Sequence, residues 1–257
     1  MKNRKTIILF GLLFIPLLIV AQEEKISSRI GFDLNFGGFW GKTLTPERVR
    51  PGQTLRATGL GAYSVGIKYE QFFCDNQLGF AVGLRVSQYS SSIRGEYRGL
   101  FLFVPIRDFF YWQFHQEGVY TDYLKINKIT QKNNYLGIPL ELRYFPKKGD
   151  FAFKTYLKIG VALNYLLSSS NSIEFANNQM DTFSSKVEKQ MEQPNSFHSY
   201  IYPAFGMKFG KNHRTWFNME FHFPGFLVGK KHHPFIQPGV GLRMQLALQI
   251  PLKKQNA

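Results

Sequence analysis

The chain has one cysteine, Cys74, in 257 residues, so no intramolecular disulfide can staple it. The surrounding FFCDNQ reads as a turn with no nearby histidine, which makes the thiol structurally incidental and not a nucleophile. Beyond Ala21 no apolar run approaches the roughly 20 residues a spanning helix needs, which excludes a helical membrane protein. No Pro/Ser-rich linker, shift of composition or internal repeat marks a boundary, so residues 22–257 read as one domain. Acidic side chains are scarce, 17 against 32 Lys and Arg. No cluster of metal-ligand type appears either. His232 and His233 in GKKHHPF are adjacent, point to different sides and have no Cys or carboxylate group beside them, so they read as a solvated basic loop. Neither a cofactor nor a metal is expected.

What is present begins with a leader. Lys2, Arg4 and Lys5 precede the apolar run Ile7 to Ala21, which gives way to QEEK, the pattern of a secretory signal peptide over 1–21. Its removal takes three positive charges from the formal +15, leaving +12. For an exported chain that balance points away from nucleic acid and towards membrane lipid and lipopolysaccharide phosphates. A basic lumen or a solubility requirement would give the same number.

Period-two alternation predicts strands over 29–40, 58–73, 77–90, 134–145, 151–167, 197–210, 214–224 and 235–250, while helical periodicity is weak. In the fifth, Phe151, Phe153, Leu157, Ile159 and Val161 share one face, with Lys154, Tyr156, Lys158 and Gly160 on the other. The links alternate strictly between long and short. An up-and-down barrel puts every second link on one rim, so this predicts tight turns at one end and extended loops at the other, the asymmetry of outer-membrane barrels. Aromatic residues beside the short turns, Tyr69, Phe72, Phe73, Tyr144, Phe145, Phe151, Phe153, Phe209, Trp216 and Phe217, predict an interfacial girdle. The expected fold is all-β: an eight-stranded antiparallel up-and-down transmembrane barrel with short periplasmic turns and long extracellular loops.

In such a barrel the greasy face meets lipid and the polar face lines the lumen. The inward set then includes Asp33, Lys68, Glu70, Arg85, Glu141, Arg143, Lys154, Lys158, Lys208, Glu220, His222 and Arg243. Eight strands leave room for side chains alone, and charges taken out of water need partners. A polar network across the lumen is expected, carried by Glu70, Arg85, Glu141, Arg143, Glu220 and Arg243. Pro139 lacks a ladder donor, so a local bulge is expected there.

The segments YLGIPLELRY, LKIGVALNYLL, YPAFGMKFG and GVGLRMQLALQI, with the leader, resemble the outer-membrane β-barrel domain of Bacteroidota proteins, the PorT-like group. That resemblance runs from the fourth expected strand to the C-terminus. It implies an eight-stranded outer-membrane barrel and, for some members, a part in type IX secretion and gliding. The chain departs from many such barrels in running on as PLKKQNA instead of ending on an aromatic residue.

The expected function is therefore a non-enzymatic, monomeric outer-membrane barrel with a plugged lumen, a structural or interaction component of an envelope or secretion assembly whose proteins are its partners. Two alternatives stand beside it. A small porin would conduct, and a barrel-embedded lipid hydrolase or acyltransferase would use His222, near the outer end of its strand, with Glu220 and a serine from Ser87–Ser92 or Ser168–Ser172. His115 and His198 are the other rim histidines. The aromatic stretch within residues 91–133 either folds over the mouth or continues its flanking strands as a ribbon, and it would suit a protein partner.

Overall fold

The computed structural model describes residues 27–96, 109–114, 122–212, 214–228 and 234–252. The leader over 1–21, His115, Lys230, Lys231, His232 and His233 lie outside the described residues. Ten strands make one antiparallel sheet: β1 (Ser27–Thr43), β2 (Leu55–Ala57), β3 (Leu60–Phe73), β4 (Leu78–Gly95), β5 (Phe110–Phe114), β6 (Asp122–Tyr144), β7 (Phe153–Phe175), β8 (Phe197–Phe209), β9 (Trp216–Val228) and β10 (Ile236–Pro251). The long strands pair in the order β4-β3-β1-β10-β9-β8-β7-β6, and β6 pairs back onto β4, so the ring of pairings closes. The count differs from the eight of the sequence reading. β2 and β5, three and five residues long, are too short for alternation to reveal them.

Burial along the strands is the reverse of a soluble protein's. Phe32, Leu34, Ile67, Leu84, Leu142, Ile159 and Leu248 are exposed, whereas the twelve ionisable residues of the expected inward set are all buried. The alternation that a sandwich would use to build an apolar core here builds an apolar outer wall. Small inward residues let bulky neighbours lie across the lumen. Gly160 faces Tyr202 across β7 and β8, and Gly206 faces Tyr156. A Cβ on Gly160 would meet the Tyr202 ring at 2.4 Å, and one on Gly206 would meet the Tyr156 ring at 2.2 Å. Overpacking of this kind costs about 1–3 kcal/mol. Gly160→Val is expected to lower stability by that amount in chemical unfolding.

Two expectations change, one at the short-turn end and one in β6. Phe72, Phe145 and Trp216 turn inward and pack together with Tyr156 as an apolar plug, while Tyr69, Tyr144, Phe151, Phe153, Phe209 and Phe217 stay outside. Nearness to a turn in sequence therefore overstated the girdle; strand parity decides which ring faces out. No bulge forms at Pro139. The β4–β6 ladder skips the pairs at 138 and 139 and resumes in register, while Pro139 stays opposite Ala162 of β7. The missing donor removes a bridge without shifting the strand.

At the other end β4, β6 and β7 run well past the expected limits, to residues 95, 122 and 175. The region 91–133 thus contributes both of its expected arrangements: a ribbon continues the wall, and β5 lies along it. Phe110, Trp112 and Phe114 of β5 are buried with Val49, Ile93, Ile126, Phe175, Val187 and Phe235 in one apolar cluster over the mouth. Val49 forms a bridge to Trp112, with the Arg50 amide donating to the Tyr111 carbonyl and the Gln113 amide to Arg48, so residues 48–50 run along β5. A 3₁₀ turn (Asn178–Phe183) and a short helix, α1 (Ser184–Gln190), complete this cap. Asn177 caps the 3₁₀ turn by accepting from the Gln179 amide, and Val187 is the one buried residue of α1.

Candidate functional site: the ionic layer of the lumen

Between the mouth cluster and the lower plug lies a layer of charge supplied by six of the eight long strands, with neutral partners from β8 and β10. Its carboxylates are Asp33 (β1), Glu70 (β3), Glu141 (β6) and Glu220 (β9); its cations are Lys68 (β3), Arg85 (β4), Arg143 (β6) and Lys158 (β7). Four charges of each sign balance. Alternation places every one of them inward, two residues apart where one strand supplies two, as with Lys68 and Glu70 or Glu141 and Arg143.

Glu141 is the hub. It lies 3.1 Å from Lys68, 3.2 Å from Lys158 and 3.5 Å from both Arg85 and Arg143, and it accepts from the Tyr202 hydroxyl at 2.7 Å. Arg143 forks between Glu70 at 2.8 Å and Glu220 at 2.7 Å. Glu220 also pairs with Lys158 and accepts from the Tyr156 hydroxyl at 2.6 Å. Asp33 is held by Arg85 at 3.2 Å and Lys68 at 3.7 Å, and the Gln245 carbonyl accepts from both Arg85 and Lys158 at 3.4 Å. Gln249 donates to Glu70. Charge-assisted bonds of this density answer most of the desolvation that burial imposes.

Aromatic rings roof the layer. Tyr200, Tyr202 and His222 stack in succession, with centroids 4.8 and 4.5 Å apart. Lys158 lies over Tyr202 at 5.2 Å and Arg143 over Tyr156 at 5.0 Å, so the rings answer cations as well as fill space. Below, Arg29 and Lys208 face the Trp216 ring at 3.5 and 4.0 Å, and Arg29 donates to backbone carbonyls of Asn212, Arg214 and Gln249.

Of the six residues singled out in the sequence, five meet in this one network. Arg243 stands apart, donating to Ser64 Oγ at 2.9 Å and facing Tyr200. Asp33, Lys68 and Lys158 belong to the network and were in the inward set, though not among the six. Tyr156, Tyr202, Gln245 and Gln249 complete it, and the alternation that places Lys158 inward places Tyr156 there too. Arg29, the first residue of the first expected strand, shares the parity of Asp33 and also turns inward.

His222 is buried at the middle of β9, not at its outer end, and its polar contacts among the described residues are Glu220 and Lys158, each at 3.5 Å. Ser168 bonds Asn134 on the outer wall, and Ser169 bonds Asn133, so neither stands with it as a nucleophile. His198 packs edge-on against Tyr89 and Tyr135. Among the described residues no group of three or more His, Cys, Asp or Glu could hold a metal ion.

A closed antiparallel ring with an apolar exterior and a paired ionic interior defines a membrane barrel. The chain belongs to the outer membrane protein β-barrel domain family, whose model matches residues 20–224. Its place is the outer membrane. Among solved structures it is similar to the outer membrane protein OprG from Pseudomonas aeruginosa, at 13% identity and TM-score 0.43 over 88% of this chain and 92% of that one. It is also similar to the N-terminal β-barrel domain of Pseudomonas aeruginosa OprF, at 8% identity and TM-score 0.29 over 86% and 97%. No curated protein matches the chain.

Proposed function

We propose that the chain is a monomeric, non-enzymatic outer-membrane barrel in which eight long strands cross the bilayer, and that it serves as a structural or interaction component of an envelope assembly. The observation that carries this reading is the filled lumen. A neutral ionic layer lies between an aromatic plug at the short-turn end and an apolar cluster at the mouth. An interior so packed gives solutes no path, which leaves the loops and outer wall as the working surfaces. The likeness of YLGIPLELRY and the later segments to PorT-like proteins supports placing that assembly in protein secretion of the type IX kind. Outer-leaflet lipid and lipopolysaccharide are the surrounding partners.

The purified barrel in a planar bilayer is expected to give no steady single-channel current, and mild-detergent extraction to retain envelope proteins that are lost when residues 100–108 are deleted, which keeps β5 and its buried cluster. A stable conductance would make it a porin instead. Retention unchanged by the deletion would remove the loop as the docking surface.

A further inference from the structure

Above the apolar belt, the outer wall of β4, β6 and β7 changes character row by row. Val86, Leu136 and Tyr165 form the last full apolar row, with Leu167 exposed just beyond it at a bulge of β7. The next is an amide and hydroxyl row in which Gln88 donates to Asn134 at 3.1 Å and Asn134 donates to Ser168 at 3.0 Å. Ser90, Lys132 and Ser170 follow, then Thr130 and Ser172. The top row sets Arg56, Arg94, Lys128 and Glu174 side by side on β2, β4, β6 and β7. Like charges directly opposed across strands repel, and the one carboxylate of the row is taken by Lys128 at 3.1 Å. Beside this row an open cleft of about 610 Å³ is lined by Arg94, Phe109, Lys125, Asn127, Lys128 and Glu174.

We propose that this wall and cleft bind an outer-leaflet glycolipid whose sugar chain carries phosphate. The inference rests on the membrane orientation proposed above, long loops outward. Height selects the occupant. Lys128 lies eight residues beyond Leu136, about 26 Å along the strand at ~3.3 Å per residue and about 19 Å in height at a tilt of ~45°. The polar headgroup layer of a simple bilayer is only about 5–7 Å deep on each side. A glycerophospholipid phosphate therefore reaches no further than the rows of Asn134 and Lys132. A phosphorylated oligosaccharide reaches the cleft, with the hydroxyls and amides of the intervening rows as sugar partners. Arg94, Lys125 and Lys128 would meet its phosphates, and Lys132 the lipid-proximal one.

The test is titration of the refolded full-length barrel in detergent with fluorescent lipopolysaccharide bearing a phosphorylated core, with the same material after removal of core phosphate, and with lipid A alone. In Arg94→Ala/Lys128→Ala, affinity for the core-phosphorylated form is expected to fall about thirty-fold, the loss of two surface cations, and further in Arg94→Glu/Lys128→Glu, while lipid A binding is unchanged. Dephosphorylated material should bind all three proteins alike, and phosphatidylglycerol should not compete at the cleft. Heat-modifiable migration of each variant verifies its fold, and Arg94→Ala/Lys128→Ala serves alone if the reversal does not refold. Equal affinity of wild type and variant for core-phosphorylated lipopolysaccharide would overturn the site. Failure of wild type to bind even lipid A would instead overturn the outer-leaflet lipid partner proposed above.

Discussion

Replacing Glu141 with alanine is expected to lower the unfolding free energy by about 3–5 kcal/mol, the usual cost of leaving buried charges without their partner. The hub position makes this the most damaging single substitution in the lumen. Lys68, Arg85, Arg143 and Lys158 all lie within 3.5 Å of its carboxylate, and each would then share only Asp33, Glu70 or Glu220. The Tyr202 hydroxyl would lose its acceptor as well. Urea titration of the barrel in lipid vesicles, followed by tryptophan fluorescence, reads the change. Lys128→Ala, which breaks the half-exposed pair with Glu174, is the comparison and should cost no more than about 1 kcal/mol. Equal effects at the two sites would mean that water penetrates the lumen and screens the network.

A second large effect is expected on the opposite face of the same wall. Ile159 lies midway between Phe153 and Tyr165 on β7 and points outward. An arginine there must sit at the bilayer midplane, at a cost of about 2–4 kcal/mol, whereas Ser168→Arg near the outer interface should cost about 0–1 kcal/mol. Folding yield into vesicles, read as the heat-modifiable fraction on a gel, should drop for Ile159→Arg and hardly change for Ser168→Arg. Indistinguishable yields would place both residues in water and remove the membrane from the description.

The two substitutions differ by eighteen positions but test one pattern, and that pattern was visible in the chain. Alternation along β7 separates Leu157, Ile159 and Val161 from Lys154, Lys158 and Gly160 whatever the tertiary structure, because successive side chains point to opposite faces. Which face is wet is not a local property, and the rhythm of short and long links supplied it. The inward ionisable residues followed from parity alone. Their pairing did not: parity gives a residue's face but not its partner across the ring, which is why Arg243 was grouped with five residues it does not join. The mouth was hardest to read. β2, β5 and α1 are short, and they are held by contacts between segments far apart in the chain, such as Val49 with Trp112. The inward turn of Phe72, Phe145 and Trp216 is not legible from nearness to a turn, because strand parity and not position along the strand sets the face.

The stretch 48–50 laid against β5 has a consequence for how anything outside the cell could grip this protein. A closed ring has no rim of free main-chain groups, and the short strand added at the mouth would have reopened one had Arg48 and Arg50 not already taken up the amide of Gln113 and the carbonyl of Tyr111. Among the described residues, a visiting polypeptide therefore finds the outward main-chain groups of β5 already taken where an extra strand would lie. Any partner engaging there must recognise side-chain chemistry, and the aggregation hazard of a bare sheet margin is suppressed at the same place.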